Sequence, residues 1–118
     1  MRILIYGAGV TGSLYAVLLK EAGYYTTIYA RGHRLEALQN QGFLYKKNNI
    51  IKKVDIKIID HLQDNDIYDF IFLTVRENQL YQALKELKSN KSKTIITMVN
   101  TLDNYEKWNC IVGQGKIL

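Results

Sequence analysis

Apolar residues fall along this chain in short blocks, some unbroken and some spaced by three and four. Arg2–Tyr6 (RILIY) is an almost unbroken apolar run that stops at a glycine, the pattern of a buried strand. Val10, Leu14, Val17 and Leu18 then recur at helical spacing, which predicts a helix over Val10–Ala22 ended by Gly23. Thr26–Ala30 is β-branched and aromatic, a second strand. Leu35 and Leu38 share one face of a short helix over Arg34–Asn40, stopped near Gly42. Phe43–Lys46 leads into an Asn48-Asn49 turn, and Ile50–Ile59 returns as one strand. Its second half alternates, with Val54, Ile56 and Ile58 on one face and Asp55 and Lys57 on the other. Asp69–Val75 (DFIFLTV) is apolar almost throughout, as a central parallel strand covered on both faces must be. Asn78–Ser89 places Leu80, Leu84 and Leu87 in helical register. Thr94–Val99 reads as a further buried strand, and Cys110–Val112 as a short last one.

Strands alternating with helices imply an α/β fold, a doubly wound and mainly parallel sheet with helices on both faces. The hairpin segment is the one interruption and belongs at the periphery. A length of 118 residues fits one domain, 1–118, and an apolar fraction of 47% supplies a core. No apolar run approaches the roughly 20 residues that span a bilayer, and the N-terminal run lacks a cleavage signature. No membrane partner is expected. The single cysteine, Cys110, calls for no oxidising compartment and reads as a small buried apolar residue, so a cytoplasmic setting is expected. The net charge of +5 raises the question of nucleic acid. Much of the excess sits in Lys46, Lys47, Lys52 and Lys53 around the hairpin turn, where lysines keep a sheet edge soluble. No nucleic-acid partner is expected.

Chemistry enters at Gly7-Ala8-Gly9-Val10-Thr11-Gly12, a G-x-G-x-x-G between a strand and an amphipathic helix. In that context Gly7 permits the tight turn. Gly9 lets a pyrophosphate approach the backbone, and Gly12 lets the helix pack closely on the strand. This makes the doubly wound fold Rossmann-type. Such folds place Asp or Glu at the end of the second strand when the ligand is NAD. Here that strand ends Tyr29-Ala30-Arg31, with Arg34 close behind. A carboxylate repels a 2′-phosphate and a guanidinium binds one bidentately, so the sequence favours NADP(H). His33 and His61 have no metal-ligand neighbours at useful spacing, and no metal site is expected.

RILIYGAGVTGSLYAVLLKEAG, YARGHRLEALQNQGF, FLTVRENQLYQAL and TMVN together resemble the N-terminal domain of the ketopantoate reductase (2-dehydropantoate 2-reductase) family. The arginine directly after the second strand, followed by glycine and an R-L-E-A-L helix, is the most specific marker. The resemblance implies an NADPH-dependent oxidoreductase that reduces a small 2-keto acid, ketopantoate to pantoate, a step toward pantothenate and coenzyme A. It implies that Gly7–Gly12 hold the pyrophosphate and Arg31 the 2′-phosphate. The family's V-K-x-x-Q segment maps to Val75-Arg76-Glu77-Asn78-Gln79, and its N-G pair to Asn100-Thr101. Val75, Arg76 and Gln79 would then touch cofactor, Arg76 or orient an anionic substrate. Asn100 is the candidate catalytic residue, placed to bond cofactor or substrate near the nicotinamide. Arg76 for lysine and Thr101 for glycine depart from the family pattern on the substrate side.

The family continues into a helical domain that supplies a catalytic lysine and an acidic residue. The chain ends at Ile111–Leu118, where that crossing would come, so cofactor binding without turnover is expected. So is an apolar patch that favours self-association. Two other readings stay open. One is a non-catalytic nucleotide-sensing Rossmann module, against which Ala30-Arg31 speaks. The other is the cofactor domain of a different 2-keto or 2-hydroxy acid dehydrogenase.

Overall fold

The computed structural model describes residues 1–41, 43–76, 79–92 and 94–98. Strands β1 (Arg2–Tyr6), β2 (Tyr25–Tyr29), β5 (Lys57–Ile59), β6 (Phe70–Leu73) and β7 (Ile95–Thr97) form one sheet in the order β5-β2-β1-β6-β7. All its pairings are parallel. Helices α1 (Val10–Glu21), α2 (Gly32–Gln41) and α3 (Leu80–Ser89) connect them. The order turns outward in both directions from the β1/β6 pair, and ligands of such sheets bind at that switch, beyond the carboxyl ends of the strands.

Period two in the central strands builds the two layers. Ile3 and Ile5 of β1 pack with Ala16, Val17, Ile28, Leu38 and Ile56 on the side of α1 and α2. Leu4 and Tyr6 point the other way, into a cluster with Ile71, Leu73, Leu80, Leu84, Leu87 and Ile95 under α3. The continuous apolar reading of β1 and β6 therefore reflects burial on both faces. Leu80, Ala83, Leu84 and Leu87 are the buried stripe of α3, as their spacing predicts. Beneath the sheet's amino end, Arg2 bonds Asp66 at 2.9 Å and lies over the Tyr68 ring at 4.6 Å.

Two expectations are corrected. Leu14 and Leu18 are not the inner face of α1: they stand 57% and 51% exposed. Val17, one of the four spaced residues, is buried against the sheet together with Ala16, and Tyr15 and Leu19 are partly buried. Gly12 lies against the Gly7 carbonyl and Thr74. Close approach there is set by the smallest side chains, so Leu14 and Leu18 fall off the inner stripe while Val17 stays on it. Second, Ile50–Ile59 is two strands. β3 (Phe43–Lys47) and β4 (Ile50–Val54) form a separate antiparallel hairpin, while Lys57–Ile59 joins the main sheet beside β2. Val54, Ile56 and Ile58 still pack in one layer across the break. Alternation reports which face is covered, not which strand is the neighbour. The hairpin turn is where the sequence places it: Asn48 and Asn49 take φ of 53° and 63°, the two left-handed residues that a two-residue hairpin turn needs.

The strand expected at Cys110–Val112 lies outside the described residues, as do Asn78, Asn100 and Thr101. Among the described residues no helix is long and apolar enough to cross a membrane.

Candidate functional site

The carboxyl ends of β1, β2 and β6 open into a cavity of about 360 Å³. Tyr6, Gly7, Ala8 and Gly9 line it from the first strand and its turn. Tyr29, Ala30, Arg31 and Arg34 line it from the second, and Val75, Arg76, Gln79, Gln82 and Ala83 from the segment after β6 and the first turns of α3. Three of these described residues are arginines and none is acidic, so the lining presents positive charge to a ligand.

The glycine turn is braced from several sides. Gly7 takes φ +122°, a conformation that L side chains rarely adopt. Its N–H donates to the Tyr29 carbonyl at 3.2 Å. The Thr74 hydroxyl donates to the Gly7 carbonyl at 3.1 Å, which ties the turn to the end of β6. Arg34 clasps it from α2: Nε donates to the Ala8 carbonyl at 2.9 Å and Nη2 to Ser13 Oγ at 3.1 Å. Gly9 caps α1 with no side-chain bond, and the first turn carries no acidic residue. The leading N–H groups of α1 have no intrahelical acceptors, and together with the helix dipole they suit an anion.

Gly9 differs from its neighbours. Its φ of −73° is open to any residue, and an added Cβ would meet nothing within 4 Å. The fold itself does not demand glycine there, whereas a phosphate resting on the turn does. This is the fit between site and dinucleotide: space left clear at Gly9, backbone donors behind it and guanidinium groups around it. Gly9→Ala is accordingly expected to leave stability within about 0.5 kcal/mol of wild type, as at surface positions that touch no special feature. Nucleotide binding should be lost. Thermal melts and a nucleotide titration on the same sample check both halves.

Of the residues singled out from sequence, Gly7, Ala8, Gly9, Arg31, Arg34, Val75, Arg76 and Gln79 are brought together around the cavity. Val10 opens α1 and Thr11 is exposed on it; Thr11 and Gly12 are not in the lining, Gly12 serving the helix–sheet contact. Asn100 lies outside the described residues. The sequence reading missed Tyr6, Tyr29 and Glu86. Tyr6 and Tyr29 are register partners at the ends of β1 and β2, their rings stacked at 4.2 Å. Both hydroxyls donate to Glu86 Oε2, at 2.9 and 3.0 Å. Arg31 adds an ion pair to the same oxygen at 2.8 Å and donates through Nε to the Tyr29 hydroxyl at 2.7 Å. The available signal was the spacing of Gln79, Gln82 and Glu86, a polar edge beside the leucine stripe of α3.

Burial raises the Tyr6 and Tyr29 hydroxyls above the ordinary tyrosine value, and the neighbouring Glu86 charge adds to this. Burial and a hydrogen bond to Asp66 push Tyr68 up to about 12. A tyrosine that ionises later when folded than when unfolded stabilises the fold fully below its unfolded value. That contribution disappears as pH climbs through the folded one. Urea midpoints should therefore fall steeply from pH 10 to 12, each such tyrosine adding up to about 1.4 kcal/mol per pH unit. A flat profile over that window would contradict the buried hydroxyls.

The sheet order and the glycine turn define a Rossmann-type domain, and the sequence model of the ketopantoate reductase PanE/ApbA family matches residues 3–118. The chain belongs to that family. It is 31% identical over 105 residues to the 2-dehydropantoate 2-reductase of Archaeoglobus fulgidus, covering 89% of this chain and 34% of that one. It is 30% identical over 108 residues to the Pyrococcus horikoshii enzyme of the same name, covering 91% and 35%. The chain thus spans about a third of the length of these relatives. Its fold superposes on D-mandelate dehydrogenase solved with NADH and anilino(oxo)acetate, with a TM-score of 0.87 at 20% identity over 99% of this chain and 39% of that one. It also superposes on 2-dehydropantoate 2-reductase from Geobacter metallireducens, with a TM-score of 0.83 at 22% identity over 99% and 40%.

Proposed function

We propose that this chain is the NADP(H)-binding domain of an oxidoreductase that reduces a small 2-keto acid, with ketopantoate as the first candidate. The observation that carries the reading is the cavity itself. A glycine turn with open space at Gly9 faces Arg31, Arg34 and Arg76 across the ends of three parallel strands. The pyrophosphate would rest on Gly7–Gly9 and the amino end of α1. Arg31, at the end of β2, is the group for a 2′-phosphate, and its side chain is 52% exposed. Family membership supports the keto acid, and the neighbour solved with NADH supports a nicotinamide dinucleotide as ligand class.

When bound, the dinucleotide supplies the hydride. This chain's part is to hold and orient it. Arg76 lies exposed in the cavity lining after β6, and its charge would orient an anionic substrate or contact the cofactor. We assign Asn100 to the nicotinamide end from its position in the family motif. Reduction of a ketone also needs a proton donor at the carbonyl oxygen. Among the described lining residues the acidic hydroxyls are those of Tyr6 and Tyr29, and both are committed to Glu86. The 118-residue chain is therefore expected to bind NADPH without oxidising it when ketopantoate is added. Absorbance of the reduced nicotinamide checks this, and steady turnover by the chain alone would overturn it.

A further inference from the structure

We propose that Glu86 sets how strongly this site favours a dinucleotide with a 2′-phosphate over one without it. The inference rests on the nucleotide-binding reading above and concerns a residue outside the cavity lining.

Glu86 stands behind the wall of the cavity. Tyr6, Tyr29 and Arg31 line the space, and the Glu86 carboxylate, 20% exposed, lies beyond them on α3. Oxygen Oε2 accepts from both tyrosines and from Arg31 Nη2. Oxygen Oε1 is buried with no hydrogen-bond partner among the described residues. The carboxyl group that the sequence lacks after β2 is thus delivered from 55 residues further on, through α3.

Two consequences follow for Arg31. The first is geometric. Its Nε and Nη2 form the side-on fork that guanidinium offers to a carboxylate or phosphate, and both are taken, by the Tyr29 hydroxyl and by Glu86. A phosphate must use the end-on edge, or displace Glu86. The second is electrostatic. A negative charge 2.8 Å from the guanidinium offsets much of what an incoming phosphate would feel. A dinucleotide with free ribose hydroxyls meets neither obstacle. Glu86 therefore acts through Arg31 as a positioning residue, and it lowers a preference that Arg31 alone would make steep.

The test is a pair of Kd values, for NADPH and NADH, measured on each variant by titration calorimetry. Glu86→Gln keeps the shape and removes the charge. It is expected to tighten NADPH about tenfold and leave NADH within about twofold, because the charge and the Nη2 donor of Arg31 are then released to the phosphate. In an Arg31→Ala background the same substitution should leave the NADPH-to-NADH ratio within about twofold, because the coupling between neighbours is then gone. Tyr29→Phe keeps the stacked ring, withdraws the acceptor from Nε and carries the test if Glu86→Gln does not fold. It should move the ratio in the same direction by less. A wild-type ratio that neither substitution moves overturns the inference and leaves the nucleotide-binding reading standing. Wild-type protein that binds neither nucleotide overturns both.

Discussion

Gly12→Ala is expected to unfold this protein more readily than any other single methyl added to the glycine turn, and to abolish nucleotide binding with it. The new Cβ would collide with the Gly7 carbonyl oxygen and stand 2.6 Å from Thr74 Oγ1. The first obstacle is backbone, so no rotamer change relieves it. The second is a hydroxyl already engaged with the Tyr6 and Gly7 carbonyls. Relief requires α1 to lift from the sheet, which also disturbs the packing of Ala16 and Val17 against Ile3, Ile5 and Ile28. Overpacking of this kind costs about 3 kcal/mol. For a domain of this size that lowers the melting temperature by roughly 10 °C. A variant melting with wild type would mean that the helix does not rest on the turn as described. Contrast with Gly9→Ala separates the two glycines: a methyl at Gly12 meets backbone, and one at Gly9 meets nothing within 4 Å.

Arg31→Ala is expected to remove discrimination in favour of the 2′-phosphate. Hydrogen bonds to a charged partner contribute about 1.5–3 kcal/mol, or roughly 10- to 150-fold in Kd. The loss should fall on NADPH, with NADH changed little, since the guanidinium sits at the β2 end of the cavity and the turn proposed for the pyrophosphate, Gly7–Gly9, lies apart from it at the end of β1. Stability should change modestly. The Arg31–Glu86 ion pair is lost, but Glu86 keeps both tyrosine hydroxyls. Equal weakening of both nucleotides would show that Arg31 acts on the shape of the cavity and not on the phosphate.

Much of this was legible along the chain. The strands read cleanly because burial on both faces leaves an unbroken apolar run. Gly7, Gly9 and Gly12 read cleanly because spacing and flanking elements agree. The inner face of α1 did not, since Gly12 and Ala16 make the close contact and carry little hydrophobic weight. Ile50–Ile59 reads as one strand because Val54, Ile56 and Ile58 share a layer across the break between β4 and β5. Glu86 was illegible for a different reason. The ionic partner of Arg31 lies 55 residues away on another element, and only the fold brings α3 over the ends of β1 and β2. No carboxylate follows β2 in the sequence, yet the fold brings that of Glu86 to Arg31.

Binding of a nicotinamide dinucleotide in this cavity is tested most directly by the fluorescence of NADPH titrated with the 118-residue protein, followed by displacement with 2′,5′-ADP. The expected result is saturable binding of one NADPH per chain, reversed by the competitor, since the recognised groups are the phosphates. Fluorescence unchanged at the highest protein concentration reached would contradict the claim and leave the glycine turn as a helix-packing device alone.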